Sequence, residues 1–302
     1  MAKHRTAGEV LPPPQSAYDW ASRTTLDIIG LAAIGHDFNA IGNPNGEIIA
    51  TYKTLFENEP PQFFWTSIGI WTPLELLFQL PLKVFNDAKA ASNTIRRIGY
   101  DMLKEKRASM KNSSNTGIDI LSVAMKSGVF DDDDLVNQLM TFLAAGHETT
   151  ASALTWATYL LCKHPDVQNR LREEIQEGLP SIRDPDSTIT ALQIDRLTYL
   201  NAVCNEVLRI MSSVPMTLRD AVVSTSILGV SIAPGTRLVI APWAVNSSQE
   251  LWGDNALSFD PKRWLGEGRA NSGGANSNFA NLTFLHGPRS CIGKDFAKAE
   301  CE

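Results

Sequence analysis

Cysteine is scarce in this chain of 302 residues: Cys162, Cys204, Cys291 and Cys301 are too few and too scattered for a disulfide framework. No CxxC pair occurs, so the usual spacing of a zinc site is missing as well. A reducing compartment is the default for such a chain. Positive charge is also short. Lys and Arg total 27 against 33 Asp and Glu, a net charge of -6 with a pI near 5.5, which provides no basic footprint for nucleic acid. Long apolar runs are lacking too. The opening "MAKHRTAGEVLPPPQ" is polar and proline-containing, and the apolar stretches 26–34 and 63–70 are short or carry a charge. Neither a signal peptide nor a membrane span is expected, and the chain reads as soluble or at most peripheral.

What is present is enough apolar residue, 43% with only 20% charged, for one large domain or two ordinary ones. From Leu135 to Leu161 the residues Leu135, Leu139, Phe142, Leu143, Leu154, Ala157 and Leu161 recur at three- and four-residue steps, which predicts one long helix. Asp131 to Asp134 precede it and suit its N-terminus as a solvated cap. Further helices are expected over 165–177 and 197–210. The stretch "SILGVSIAPGTRLVIAP" alternates β-branched residues with Gly229 and a Pro234–Gly235 turn and predicts a hairpin. "KNSSNTGID", "GLPSIRDPDST" and "GRANSGGANSN" read as loops, and no internal repeat is visible.

Four segments carry chemistry. "AGHETT" puts Gly146 in mid-helix, which costs about 1 kcal/mol against alanine and asks either for a packing contact or for close approach of something large. Beside it, Glu148, Thr149 and Thr150 need partners or water, so proton delivery is a live alternative. "NEVLR" places Glu206 and Arg209 on one helix face, which by spacing alone reads as a surface ion pair. "FDPKRW" sets Arg263 in a turn-rich aromatic stretch. In "FLHGPRSCIG", Gly287 and Gly293 allow tight turns, Arg289 suits a carboxylate or phosphate, and a helix starting in "KDFAKAE" sets its N–H groups near Cys291. A lone cysteine is most often a small buried hydrophobe; one in this setting can be a nucleophile or a metal ligand. No nearby histidine with a matching acid suggests a protease-like base.

"FLHGPRSCIG" resembles the haem-binding loop of the cytochrome P-450 family, Phe-x-x-Gly-x-Arg-x-Cys-x-Gly. Phe284, Gly287, Arg289, Cys291 and Gly293 meet all five fixed positions, a coincidence of roughly one in a few million per start position. "AGHETT" resembles the family's oxygen-binding motif, "EVLR" its Glu-x-x-Arg motif and "FDPKRW" the source of a third charged residue, all in the family's order. The resemblance implies a mainly α fold with a small β region (α+β), built on a long central oxygen-binding helix and a C-terminal cysteine loop. It implies haem b as cofactor, with Cys291 as axial thiolate and the N–H groups of Ile292 and Gly293 on the sulfur. Arg289, and Arg219 in "MTLRD", would meet haem propionates, and Phe284 would pack beside the thiolate. Ala145 and Gly146 would leave room for O2, and Glu148 and Thr149 would relay protons. Glu206, Arg209 and Arg263 would form a buried cluster supporting the loop, a structural duty.

The implied reaction places one oxygen atom of O2 in an apolar substrate, with electrons from NADPH through a P-450 reductase that Lys294 and Lys298 would help to dock. Phe142, Ala145, Thr149 and the stretch Ser212 to Met216, with Ser213, Val214 and Met216, are the expected substrate contacts. "VPMTLRDA" and "APWAVNSSQELWG" resemble eukaryotic microsomal members, fungal ones among them. The chain is divided at this point into an irregular segment 1–18 and a partial P-450 domain 19–302 that lacks the family's early strands and helices, its membrane anchor and its C-terminal end. An intracellular location follows, at the endoplasmic reticulum membrane where the longer protein has the anchor. Exposed edges left by such truncation predict weak haem binding and slow turnover. Two other classes stand beside the monooxygenase: a haem-thiolate isomerase or dehydratase needing no electrons, and a non-catalytic helical fragment.

Overall fold

The computed structural model describes residues 16–56, 68, 72, 74–112, 119–181, 183–184 and 187–302. The chain divides into two compact units, Met1–Glu148 and Thr149–Glu302. The division suits a length at which a single apolar core stops growing, about 250–300 residues. Of the segment expected to be irregular, 1–15 lies outside the described residues, and helix already begins at Ala17.

In the first unit, α1 (Ala17–Ile29) starts on Ser16, whose Oγ accepts the Asp19 N–H at 3.1 Å, and continues into a π turn, Gly30–Ile34. Gly35 ends it at φ 70, a left-handed conformation in which glycine is unstrained. Helix α2 (Glu47–Phe56) packs on α4 (Lys83–Asn112), with the single turn α3 (Leu74–Leu77) preceding the latter. Helix α5 (Ile120–Ser127) is capped by Asp119, whose carboxylate also meets Lys106 Nζ at 2.6 Å. The "KNSSNTGID" loop falls largely on 113–118, outside the described residues.

The predicted long helix is α6 (Asp132–Lys163), about 48 Å long at 1.5 Å per residue. Its face Leu135, Leu139 and Leu143 is buried as the periodicity requires. The aspartates before it are more than a solvated cap. Asp131 Oδ1 accepts the Asp134 N–H at 2.8 Å, Asp132 pairs with Arg107, and Asp133 accepts from the Tyr100 hydroxyl.

In the second unit, α7 (Pro165–Gly178) and α9 (Thr198–Ile210) follow the expected helices to within a residue or so, and between them lies a short helix that was not expected, α8 (Ala191–Asp195). A core of Leu160, Val167, Leu171, Val203, Val207 and Phe259 joins α9 to its neighbours. Two antiparallel ribbons come next: β1 (Thr217–Asp220) pairs with β4 (Arg237–Ile240), and β2 (Thr225–Ile227) with β3 (Val230–Ile232). The predicted hairpin is therefore half right. Leu228 and Gly229, at φ 48 and 80, form its two-residue loop, the positive-φ geometry that matches strand twist. The turn at Pro234–Gly235 instead returns β4 to β1, with Thr217 opposite Ile240. Two short helices, α10 (Pro242–Asn246) and α11 (Gln249–Trp252), lead through the turn 261–264 and a loop region to α12 (Lys294–Cys301). The fold is mainly α with a small β region, as the sequence predicts.

Candidate functional site

Helix α6 presents Ala145 exposed and His147 wholly buried, so the "AGHETT" segment has one open side and one packed side. Gly146 belongs to the packed side: a Cβ there would lie 2.8 Å from Ile29 Cδ1, and packing by α1 accounts for the glycine. His147 Nδ1 lies 2.6 Å from the Leu143 carbonyl, which can only accept, so this nitrogen carries the proton. Its other nitrogen lies 3.0 Å from Glu148 Oε1, off the line of a hydrogen bond. The second Glu148 oxygen accepts from the Tyr18 hydroxyl, and the Tyr52 ring sits edge-on to His147 at 4.5 Å. Burial, and then the negative charge of Glu148, push the Tyr52 hydroxyl far above its ordinary pKa. Tyr18, Arg23, Tyr52, Lys53 and Glu148 line a cavity of about 10 Å³, close to the minimum for one water.

In the second unit, Thr149 and Ser213 come together: the Ser213 hydroxyl donates to the Thr149 carbonyl at 2.8 Å. Val214 and Met216 beside it are exposed, and Phe142, in the first unit, is half-buried. Arg219 is drawn onto its own strand, with Nη1 donating to Thr217 Oγ1 at 2.9 Å and to the Leu218 carbonyl at 2.7 Å.

Glu206 and Arg209 are wholly buried, which overturns the surface ion pair read from spacing. Their contacts explain why burial is tolerated. Arg209 Nε and Nη2 donate to the two Glu206 oxygens at 2.8 Å each, and Arg263 Nε donates to Glu206 Oε1 at 3.1 Å. Trp264 Nε1 and the Asp260 N–H complete the carboxylate at 2.9 and 3.0 Å. Arg209 Nη1 is spent on the Asn246 and Ala256 carbonyls at 2.6 and 2.7 Å. A fully bonded charge cluster of this kind is rigid, and it is costly to break at any one member.

Cys291 is exposed, not the buried hydrophobe that a lone cysteine usually is. Its N–H donates to the Phe284 carbonyl at 2.9 Å, closing a loop that passes through Leu285 at φ 58 and Gly287 at φ 75. An added Cβ at Gly287 would meet nothing within 4 Å among the described residues, and one at Gly293 would touch only Cys291 Sγ, at 3.9 Å. Ile292 is 91% exposed and Arg289 is exposed beside it. Gly293 caps α12, so the free N–H groups of that helix begin just past the sulfur. Among the described residues no three His, Cys, Asp or Glu converge on a metal position, so Cys291 offers a single exposed sulfur ligand, with the exposed side chains of Arg289 and Ile292 next to it in the chain. That donor set fits a flat, apolar, acid-bearing group that brings its remaining metal ligands with it.

The sequence reading missed several residues. His147, Tyr18, Tyr52, Asn246 and Thr283 occupy buried or partnered positions, yet none but His147 lies in a motif. Thr150 contacts Glu300, whose carboxyl is pushed up to about 7 by burial, partly offset by the threonine hydroxyl. Cys204 Sγ lies 3.3 Å from the Cys301 carbonyl, and burial raises both thiols, that of Cys301 to about 12. Among the described residues no helix is long and apolar enough to cross a membrane.

Three comparisons bear on this arrangement. The family model "Cytochrome P450" matches residues 2–302. The chain is 49% identical over 288 residues to cytochrome P450 monooxygenase sphH of Aspergillus fumigatus, covering 93% of this chain and 52% of that protein. It is 41% identical over 324 residues to cytochrome P450 monooxygenase FUM15 of Gibberella moniliformis, covering 93% of this chain and 54% of that one. The chain thus spans about half the length of the curated relatives it matches. The crystal structure of the cytochrome P450DA heme domain superposes with a TM-score of 0.75 at 24% identity, covering 95% of this chain and 59% of that one, which shows a shared fold.

Proposed function

Because this chain belongs to the cytochrome P450 family, we propose that it carries the cysteine-ligand and oxygen-side machinery of a haem-thiolate monooxygenase. The activity assigned is insertion of one oxygen atom of O2 into an apolar organic substrate, with electrons from NADPH through a reductase. The observation that carries the reading is the exposed Cys291 on a loop closed by its own N–H onto Phe284 and open at Gly287. When bound, haem b supplies the oxygen chemistry, and a thiolate ligand favours O–O cleavage.

The side chains supply the rest. Cys291 would hold the haem through its sulfur, and the N–H groups of Ile292 and Gly293 would stabilise the thiolate charge, as donors around a metal ligand do. Arg289 would hold a propionate, and Arg219 would do so only by leaving its bonds to Thr217 and Leu218. Phe284 walls the sulfur. Ala145, exposed on α6, leaves room for O2, a duty Gly146 does not share because Ile29 fills its side. Glu148 and the Thr149 hydroxyl pass protons inward, with Tyr18 as the donor behind Glu148. Ser213, Val214, Met216 and Phe142 face the substrate. Of the two lysines past the cysteine, exposed Lys294 suits an acidic reductase; Lys298 is half-buried, and burial lowers its pKa. An endoplasmic reticulum location goes with such a reductase.

The test is a reduced carbon-monoxide difference spectrum of the haem-reconstituted chain, with Cys291→Ala beside it. A band at the position typical of thiolate ligation, absent from the variant, is expected. The same spectrum from both proteins would remove Cys291 as ligand and the reading with it.

A further inference from the structure

The loop that carries Cys291 has few contacts of its own. Backbone bonds run within it, Leu285 N–H to the Leu282 carbonyl at 2.9 Å, Ser290 N–H to the Gly287 carbonyl at 3.0 Å and Cys291 N–H to the Phe284 carbonyl at 2.9 Å, and on its outer side His286 Nε2 meets the Asn278 carbonyl with its ring 4.8 Å from Phe279. Ile292 and Gly287 are open to solvent. The Cys291 N–H itself is tied to the segment Leu282–Phe284, so what holds that segment bears directly on the aim of the sulfur.

Asn246, at the end of α10 and wholly buried, does this from both ends of its amide. Its Oδ1 accepts the Leu282 N–H at 2.7 Å, and its Nδ2 donates to Thr283 Oγ1 at 2.9 Å. The two contacts fix the amide orientation, because a backbone N–H can only donate. The Thr283 hydroxyl lies 2.8 Å from the Leu208 carbonyl on α9 and 2.8 Å from Asn281 Oδ1, so its one proton goes to either while its oxygen accepts from Asn246. Asn246 is itself held, because its carbonyl accepts from Arg209 Nη1 at 2.6 Å. A continuous set of hydrogen bonds, buried at Arg209 and part-buried at Thr283, thus runs from the Glu206–Arg209 cluster through Asn246 and Thr283 to the chain at Phe284, and by one more bond to Cys291.

We propose that Asn246 and Thr283 are positioning residues: their side-chain bond latches the base of the cysteine loop to the buried charge cluster and thereby sets the direction of the Cys291 sulfur. The proposal rests on Cys291 as the haem ligand. Neither residue reaches the sulfur. Each acts through the Phe284 carbonyl, and loss of the Thr283 hydroxyl leaves both the Asn246 amide and the Leu208 carbonyl short of a partner.

The experiment compares the full chain with Thr283→Val, Thr283→Ser, Asn246→Ala and Cys291→Ala. Amide hydrogen exchange is read at Cys291 without haem, and the reduced carbon-monoxide spectrum is read after haem reconstitution. Exchange at α9 amides serves as the control for general loosening. In Thr283→Val and Asn246→Ala the Cys291 amide is expected to exchange roughly tenfold faster with α9 unchanged, and the thiolate-type band to shrink in favour of one from weaker or protonated sulfur ligation. Serine keeps the hydroxyl and is expected to stay near the parent chain. A valine variant matching the parent in both exchange and spectrum overturns the latch, as does equal loosening of α9. If the parent itself shows no thiolate-type band, the cysteine-ligand reading fails, while the haem-free exchange still decides whether the latch holds the loop.

Discussion

The Tyr18 hydroxyl, on the first turn of α1, donates to the carboxylate of Glu148 near the middle of α6. The same carboxylate lies 3.0 Å from the buried His147 ring, over a cavity with room for about one water. On the proposed proton path, half-buried Tyr18 is thus the donor next to Glu148. Tyr18→Phe keeps the ring and removes the donor. In the proposed monooxygenase reaction, driven by NADPH through a reductase, it is expected to lower product formed per NADPH by up to about tenfold, the share of barrier one hydrogen bond can carry, while leaving the carbon-monoxide spectrum unchanged. Equal coupling in both proteins would take Tyr18 out of the proton path.

Gly146→Ala brings a Cβ to 2.8 Å from Ile29 Cδ1. Overpacking costs about 1–3 kcal/mol, against about 1 kcal/mol that alanine returns in helix propensity. The net expectation is a loss of about 1 kcal/mol in urea unfolding, recovered when Ile29→Ala clears the space, which gives a coupling energy opposite in sign to the single effects. Additive single and double variants would show that Ile29 is not what excludes the side chain.

Arg209→Ala leaves Glu206 buried with its main cation gone and strips donors from the Asn246 and Ala256 carbonyls. A destabilisation of about 3–5 kcal/mol is expected, and Arg209→Lys is expected to recover little of it, since a single ammonium cannot reach both carboxylate oxygens and two carbonyls in one plane. A loss under about 1 kcal/mol in denaturant unfolding is the result for an exposed pair, and would contradict the burial.

Glu300 links stability to pH. Its folded pKa, about 7, lies above the ordinary 4.5, so between those values the folded chain keeps a proton that the unfolded chain has released. Stability therefore falls as pH rises from about 4.5 through about 7 and is level beyond. After discounting for partial exposure, the expected fall is about 1–2 kcal/mol. Glu300→Gln is expected to flatten this part of the profile of denaturation midpoint against pH; an unchanged slope would assign it to other groups.

Much of the site can be read from consecutive residues. "FLHGPRSCIG" shows the proposed ligand and its turns, because a cysteine that must point out of a tight loop needs glycine within a few positions of it. The long helix shows in three- and four-residue steps, and Pro165 ends it as expected. The Glu206–Arg209 pair shows its spacing but not its burial, because neighbours at three positions look the same on a surface as in a core.

Local order was therefore settled along the chain: which segments are helical, where they stop, and which residue offers the sulfur. Partnership was settled in space. That β4 turns back to β1, that Ile29 accounts for Gly146, that Tyr18 reaches Glu148 and that Asn246 holds the base of the cysteine loop all depend on residues far apart in sequence. Helix periodicity and capping act within a few residues and leave a mark in the order of amino acids. A buried hydrogen bond between distant segments leaves none, because serine, threonine, asparagine and tyrosine are as common at the surface as in such pairs, and only packing brings donor and acceptor within 3 Å.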